Sequence, residues 1–431
     1  MDEVSSLLAE ADSLLAAADA RLVHDYPGDA VGRQPVHTIY VPADRFHEDT
    51  VDEWRRAALE SLELHAPTPA ALAEVFQLGD DLAAEVYGRV VEKLHREPVE
   101  DLRIDFEDGY GERPDIEEDA AAAAAAQSLR ASVTAGTAPP FRGIRVKSFE
   151  AATRHRGIRT LAAFLQALLA PEPGERGSSA DGVRDGLRRT FVATLPKVTS
   201  VDQVQAMVAV CAGLERRLGL AAGSLRFEIQ VETPQSVLGP DGTALVAPML
   251  HAAAGRCTAL HYGTYDYSAA CGVAAAYQSM DHPAADYAKA VMQAAAAGTG
   301  VRLSDGSTNV LPVGDPAAVV EAWRLHAGLV RRSLERAFYQ GWDLHPAQLP
   351  SRYVAVFAFY REGLQQAASR LHAYLAQDDS GFQDEPATAR ALAGFLLRAL
   401  DCGAITGAEA TASGASPDRL AELARPSFRD P

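Results

Sequence analysis

Acidic and basic side chains recur in this sequence where short apolar runs stop. "IDFEDGY" (104–110) crowds Asp105, Glu107 and Asp108 at the end of one run. Like charges repel and cost stability when partly buried, so the crowding has two readings: a solvated strand end, or a site that uses negative charge to hold a divalent cation. "RGIRVK" (142–147) carries Arg145 and Lys147 two apart, on one face of an extended chain. Lys197 follows "TFVATLP" (190–196), and Glu232 follows "LRFEIQV" (225–231). Asp266 follows "CTALHYG" (257–263), with Gly263 and Thr264 just before it, and His345 follows "GWDL" (341–344). One charged strand end is cheap to explain by solvation; six are not.

The runs that end in these residues alternate with helical patterns. The β-like runs are 36–42, 102–106, 142–147, 190–196, 225–231, 257–263, then 301–303 or 310–313, and 341–344. Amphipathic, Ala-rich stretches occupy 50–65, 79–96, 115–136, 156–170, 201–218, 279–297, 315–339 and 350–377. Strand–helix alternation implies a parallel sheet, and eight strands imply a closed (β/α)8 TIM barrel. A doubly wound open sheet is the alternative, but no GxGxxG follows an early strand. A barrel brings all the charged ends to one mouth, where barrel active sites lie. "SDGSTN" (304–309) reads as a turn, of a hairpin or a lid in the seventh βα unit. "PEPGERGSSADG" (171–182) reads as a mobile loop. The expected organisation is an N-terminal helical extension (1–35), a barrel (36–377) and a C-terminal helical tail (378–431).

Bulk properties narrow the partners. The chain has 431 residues and a formal charge of −18, which argues against nucleic acid or an anionic membrane surface. A small anionic substrate stays compatible, since a local site can be basic inside an acidic shell. Cys211, Cys257, Cys271 and Cys402 are scattered without a CxxC, as expected in a reducing compartment. No basic-then-apolar leader and no long uncharged apolar stretch stands out. The expectation is a cytoplasmic protein.

Taken in order, "IYVPADRF", "IDFEDGYG", "IRVKSF", "LPKVTSVDQV", "IQVETP", "HYGTYDYSAACG" and "GWDLHPAQL" resemble the HpcH/HpaI aldolase and citrate lyase β-subunit-like family, barrels of the phosphoenolpyruvate/pyruvate-binding superfamily. The resemblance spans roughly residues 36–350. It implies a Mg2+-dependent carbon–carbon lyase, with Mn2+ as the alternative ion, or the reverse condensation. It also implies a homo-oligomer, trimer or hexamer. By that resemblance Glu232 and Asp266 are the metal ligands. Mg2+ takes one or two carboxylates plus water and substrate oxygens, and two acids from adjacent strands can supply that. Arg145 matches the strand-three arginine. A guanidinium can hold a carboxyl bidentately and stabilise an enolate oxygen; pairing with Glu107 or Asp108 is its structural reading.

Glu107 and Asp108 resemble the second-strand acids that orient water or the arginine around the metal. Lys197 could contact a carboxylate or thioester oxygen, or pair with the strand acids. Backbone N–H groups at Gly263 and Thr264 could bind a substrate carboxylate. His345 matches the late His-Pro motif, as a substrate-side acid–base group or a structural hydrogen-bonding one.

The sequence also departs from the pattern. "VHT" replaces an Arg-Ser opening, Lys147 replaces an asparagine, and the lysine often found before the late His-Pro is missing. In coenzyme-A-using relatives basic residues near that end help hold the nucleotide, so the missing lysine, with the acidic balance, weakens the coenzyme A reading without removing it. The changes would also fit a non-catalytic barrel that binds a metal and a metabolite as a regulator or assembly subunit. A phosphoenolpyruvate-using phosphoryl transferase would need a phosphate cradle, and no Gly-rich loop with a lysine precedes a helix.

Overall fold

The computed structural model describes residues 3–30, 32–170, 186, 190–377 and 385–425. Eight parallel strands form one sheet: β1 (His37–Pro42), β2 (Asp101–Asp105), β3 (Phe141–Arg145), β4 (Phe191–Leu195), β5 (Arg226–Val231), β6 (Cys257–Tyr262), β7 (Arg302–Ser304) and β8 (Gly341–Asp343). Their order is β7-β6-β5-β4-β3-β2-β1-β8. The ring closes where Ser304 bridges Gln340 and Trp342 N–H donates to the Gly306 carbonyl at 3.0 Å. The fold is the expected TIM barrel.

Helices follow in chain order. The first group is α1 (Glu3–Asp25), α2 (Thr50–His65), α3 (Pro69–Phe76), α4 (Asp80–Arg96), α5 (Asp115–Ala135) and α6 (Arg154–Leu168). Then come α7 (Val201–Leu218), α8 (Pro234–Val237), α9 (Val246–Ala252), α10 (Thr264–Ala270) and α11 (Pro283–Ala296). The last are α12 (Pro316–Glu335), α13 (Leu349–Ala376), α14 (Pro386–Cys402), α15 (Gly407–Thr411) and α16 (Pro417–Leu423). The alanine run 120–126 lies within α5, where Ala122, Ala125 and Ala126 are buried. Small side chains there let α5 pack closely on α6.

Strand periodicity sorts side chains to two sides of the wall. Leu102 and Ile104 of β2, like Phe227, Ile229 and Val231 of β5, join the apolar core beneath the helices. The buried alternates, Asp101, Arg103 and Asp105 of β2 and Glu228 and Gln230 of β5, are polar or charged and fill the barrel. Arg103 of β2 donates from Nε and Nη2 to the two Glu228 carboxylate oxygens of β5, at 2.9 and 2.7 Å. Two strands separate β2 from β5 in the sheet, so this pair crosses the interior. His261 Nε2 lies 3.2 Å from Glu228, and Trp342 Nε1 donates to His261 Nδ1 at 3.0 Å. The buried charges of this layer, Arg103 and Glu228, are therefore paired, which is what burial of charge demands.

Of the two alternatives for the seventh strand, the run at 301–303 supplies β7 and "NVLPV" does not, and no hairpin forms at 304–309. The segment folds against α10 instead: Ser307 N–H donates to Thr264 Oγ1 at 3.3 Å, and Asn309 N–H donates to the Tyr265 hydroxyl at 2.5 Å. Those contacts occupy backbone groups that a hairpin ladder would need. The expected mobile loop at 171–182 lies outside the described residues.

Candidate active site

Five consecutive strands deliver charge to the carboxyl-terminal mouth. Register pairs Asp105, the last residue of β2, with Arg145, the last of β3. Arg145 donates from Nε to Asp105 Oδ1 and from Nη2 to Oδ2, both at 2.7 Å. Its guanidinium also lies 4.8 Å from the centre of the Tyr40 ring. Asp105 further accepts from the backbone N–H groups of Glu107 (3.0 Å) and Gly109 (2.9 Å), which winds the chain into the acidic turn. The bidentate edge of Arg145 is thus committed to Asp105. Nη1 remains, 3.3 Å from Glu107 and 3.9 Å from Asp108.

Lys197 is the hub of the site. It adopts φ of +51°, a region that costs a non-glycine residue on the order of 1 kcal/mol. That turn aims its N–H at Glu232 Oε1, 2.7 Å away. Its ammonium donates to Glu107, and to Asp108 at 3.0 and 3.1 Å, and lies 3.3 Å from Asp266. Burial works against the charge, but Glu232, Glu107 and Asp108 hold the ammonium well above the usual lysine value. Of the two readings of Lys197, the structure brings it to the strand acids.

Glu232 is buried directly after β5. Its Oε2 accepts from Gln230 Nε2 at 2.7 Å. Burial pushes its carboxyl up to about 8; Lys197 pulls the other way, and the charges of Glu107 and Asp266 add to the rise. Burial likewise raises Glu107 against Arg145, with Asp108 adding. Asp108, half exposed, is opposed by its own desolvation yet held below the ordinary carboxylate range by Arg145 and Lys197. Asp266 sits in the first turn of α10. Gly263 permits the close approach of β5 and β6: a Cβ there would stand 2.4 Å from Glu232 Cβ and 2.5 Å from its Oε2.

Other expected participants lie elsewhere or are engaged. Gly263 N–H donates to the Val231 carbonyl at 3.0 Å, so it is spent on the sheet rather than offered to an anion. The Thr264 hydroxyl accepts from Ser307; its backbone N–H, the group expected to meet an anion, lies at the first residue of α10 and is not used in that contact. His345 Nδ1 accepts from Ala347 N–H at 3.2 Å, capping the short turn Pro346–Gln348, and burial lowers its pKa. That contact uses Nδ1 in the cap. Lys147 does not share the mouth with Arg145, because β3 ends at Arg145. Its ammonium instead ties the Phe106 and Gly111 carbonyls to Glu118 of α5, at 2.8, 3.1 and 2.8 Å.

Two interior groups escaped the sequence reading. The Tyr40 hydroxyl and Gln230 Oε1 are buried without a hydrogen-bond partner. Both belong to barrel strands below the carboxylates. Alternation of Gln230 with Glu232 in "IQVET" was the available signal.

The donor set suits a divalent cation. Among the described residues no three His, Cys, Asp or Glu side chains form a ready-made metal cage. Mg2+ does not need one, since one or two carboxylates suffice beside water and substrate oxygens. Glu232 and Asp266 are acceptor-only when ionised, and Glu232 sits against the like charges of Glu107 and Asp266, a crowding that a cation would relieve. A separate cavity of about 990 Å3 opens at the opposite, amino-terminal end of the barrel, lined by Asp101, Arg226, Cys257 and Arg302 among others. It does not include the carboxylate cluster.

Comparison with known proteins agrees with this architecture. A citrate lyase from Burkholderia xenovorans LB400 superimposes with a TM-score of 0.57 at 21% identity, covering 89% of this chain and 98% of that one. A Haloferax volcanii malate synthase gives 0.49 at 13% identity, covering 86% and 92%. The CitE protein of Mycobacterium tuberculosis, in complex with magnesium, acetoacetate and coenzyme A, gives 0.47 at 17%, covering 87% and 99%. No curated protein matches the sequence. The first of these likenesses places the fold with citrate lyase. At the level of sequence, one family model matches residues 15–428, and the chain belongs to that family, described as Domain of unknown function (DUF6986).

Proposed function

We propose that the protein is a Mg2+-dependent carbon–carbon lyase that cleaves a 2-oxo or hydroxy acid, or a 3-hydroxyacyl-CoA thioester, or runs the reverse condensation. The observation that carries this reading is the convergence of Glu232, Asp266, Lys197, Arg145 and Glu107 at one barrel mouth. Glu232 and Asp266 would hold the ion. When bound, a divalent cation supplies Lewis-acid charge and orients substrate oxygens.

The chain's own groups do the rest. Arg145 Nη1 offers a fixed N–H donor where negative charge develops on an enolate oxygen; Asp105 holds the guanidinium so that it need not reorganise. Lys197 stays protonated and gives a second positive charge beside the same acids. Glu107, its carboxyl raised by burial, is placed to take the proton of the hydroxyl on the bond that breaks. Tyr40 packs on Trp342 with ring centres 4.6 Å apart and presents its ring to the Arg145 guanidinium.

A second reading has support in the saturated partners. With Arg145 paired to Asp105 and Lys197 to three acids, the same barrel could bind a metal carboxylate complex without turning it over. A product assay separates the two: the protein with Mg2+, given pyruvate plus an aldehyde panel and, separately, acetyl-CoA plus glyoxylate. The lyase reading expects metal-dependent product in one arm, lost in Glu232→Ala. Absence of product in both arms, with calorimetric Mg2+ binding intact, supports the binding protein.

A further inference from the structure

Half of the Gln230 amide is used and half is not. Gln230 sits on β5, two residues after Glu228 and two before Glu232, and points into the barrel with Glu228. Its Nε2 donates to Glu232 Oε2 at 2.7 Å. Its Oε1 is buried without a hydrogen-bond partner. A buried carbonyl left unpaired costs stability, and such a group in a folded protein calls for an explanation. The explanation lies in Glu232. Turned over, the amide would set its own carbonyl against the carboxylate, acceptor against acceptor. Glu232 therefore dictates which way Gln230 points, and Gln230 in turn holds Glu232.

The Glu232 carboxylate is fixed at both oxygens. Lys197 N–H donates to Oε1 at 2.7 Å, from a backbone at φ +51°. Gln230 donates to Oε2, and the Gly263 backbone lies beside that same oxygen, where a Cβ would stand 2.5 Å away. The carboxylate cannot rotate without breaking one of the two N–H bonds or meeting β6. Oε2 is enclosed by Gln230 and Gly263. Oε1 carries one N–H donor and keeps a lone pair for an ion. A carboxylate held in this way offers one oxygen rather than two.

The number of oxygens a carboxylate offers separates the common divalent cations. Mg2+ demands a near-ideal octahedron at about 2.0–2.1 Å and is served by single carboxylate oxygens and water. Ca2+ takes roughly six to eight oxygens at about 2.3–2.6 Å and readily accepts a carboxylate through both. We propose that Gln230 determines which ion the site takes: by holding Oε2 it keeps Glu232 a one-oxygen ligand and so favours Mg2+ over Ca2+. The inference rests on Glu232 as an ion ligand, the reading proposed above. Gln230 is a positioning residue, acting on the ion through Glu232. Groups behind a ligand commonly orient it and tune the site in this way.

Calorimetric titration of the full chain with Mg2+ and, separately, with Ca2+ tests the assignment, with the melting temperature followed alongside. The native protein should bind Mg2+ more tightly than Ca2+, and Glu232→Ala should abolish binding of both. Gln230→Met keeps the side-chain volume and removes the N–H. It should narrow the preference for Mg2+ by roughly tenfold or more, with the melting temperature kept. Gln230→Ala also clears the space beside Oε2, and should narrow the preference as far at a lower melting temperature. Affinities that fall equally for both ions, or do not change, would overturn the proposal and leave the ion site standing. A native protein that binds the two ions alike, or Ca2+ more tightly, would do the same. Binding of neither ion, or binding that persists in Glu232→Ala, would overturn the ion site and this inference with it.

Discussion

Residue by residue, the site is an argument about which charges pair. Three acids within four positions could each have taken Arg145, and the spacing alone does not choose among them. Strand register chooses: it sets Asp105 opposite Arg145, and the bidentate pair follows. Removing one partner of a buried ion pair strands the other, which costs about 3–5 kcal/mol. Asp105→Ala should therefore lower stability by roughly that amount in chemical denaturation, and should also lose the fixed guanidinium donor. Gly263 tests the geometry from the other side. Its backbone is unstrained at φ −98°, so a methyl group acts only by pushing on Glu232. Gly263→Ala should cut turnover on the order of 100-fold, as expected for a displacement of about 1 Å in a catalytic group, and should also lower the melting temperature, because Glu232 Cβ is fixed to β5 and cannot swing aside. Equal activity would mean that Glu232 does not need its present position.

Among the elements, the strands and most helices were legible, because hydrophobic period and turn residues report them directly. α2 and α7 begin and end where the pattern placed them. The segment after β7 was not legible. "NVLPV" has strand composition, but its neighbours take its backbone groups into contacts with α10, and such tertiary contacts leave no local trace. Lys147 misled for a similar reason: two-residue spacing implies a shared face only while the strand continues, and β3 stops at Arg145. The base of the barrel is held by a different charge cluster. Glu97 receives Arg33 Nη2 at 2.6 Å and the ammonium of Lys93. Its burial would raise its pKa, but Arg33 and Lys93 prevail and bring it to about 2. A depressed acid contributes stability that is fully present above the unfolded value and is lost as pH falls through the folded one. Stability should therefore drop by on the order of 2 kcal/mol between about pH 4.5 and 2 from this group. Glu97→Gln should flatten that part of the pH profile; an unchanged profile would deny the cluster its role.

At the scale of the whole molecule, the barrel separates two ends. The amino-terminal end carries the end of α1 and a cavity of about 990 Å3; the carboxyl-terminal end gathers the acids, Lys197 and Arg145. In the charged layer between them, Arg103 of β2 pairs with Glu228 of β5 across the interior, and His261 lies against the same carboxylate. The overall fold was readable because alternation of strand and helix leaves few topologies. The interior layer was not, because no single run announces that its polar alternates will meet across the barrel.

The central claim is that this mouth forms an enolate with help from Glu232 and a divalent cation. Proton–deuterium exchange tests it without requiring the second substrate. Pyruvate and, separately, acetyl-CoA would be incubated with the protein and Mg2+ in D2O, and loss of the methyl proton signal followed by nuclear magnetic resonance. The account predicts Mg2+-dependent exchange into one of the two methyl groups by the native protein, lost in Glu232→Gln. No exchange into either, or exchange that persists in Glu232→Gln or without the metal, would contradict it.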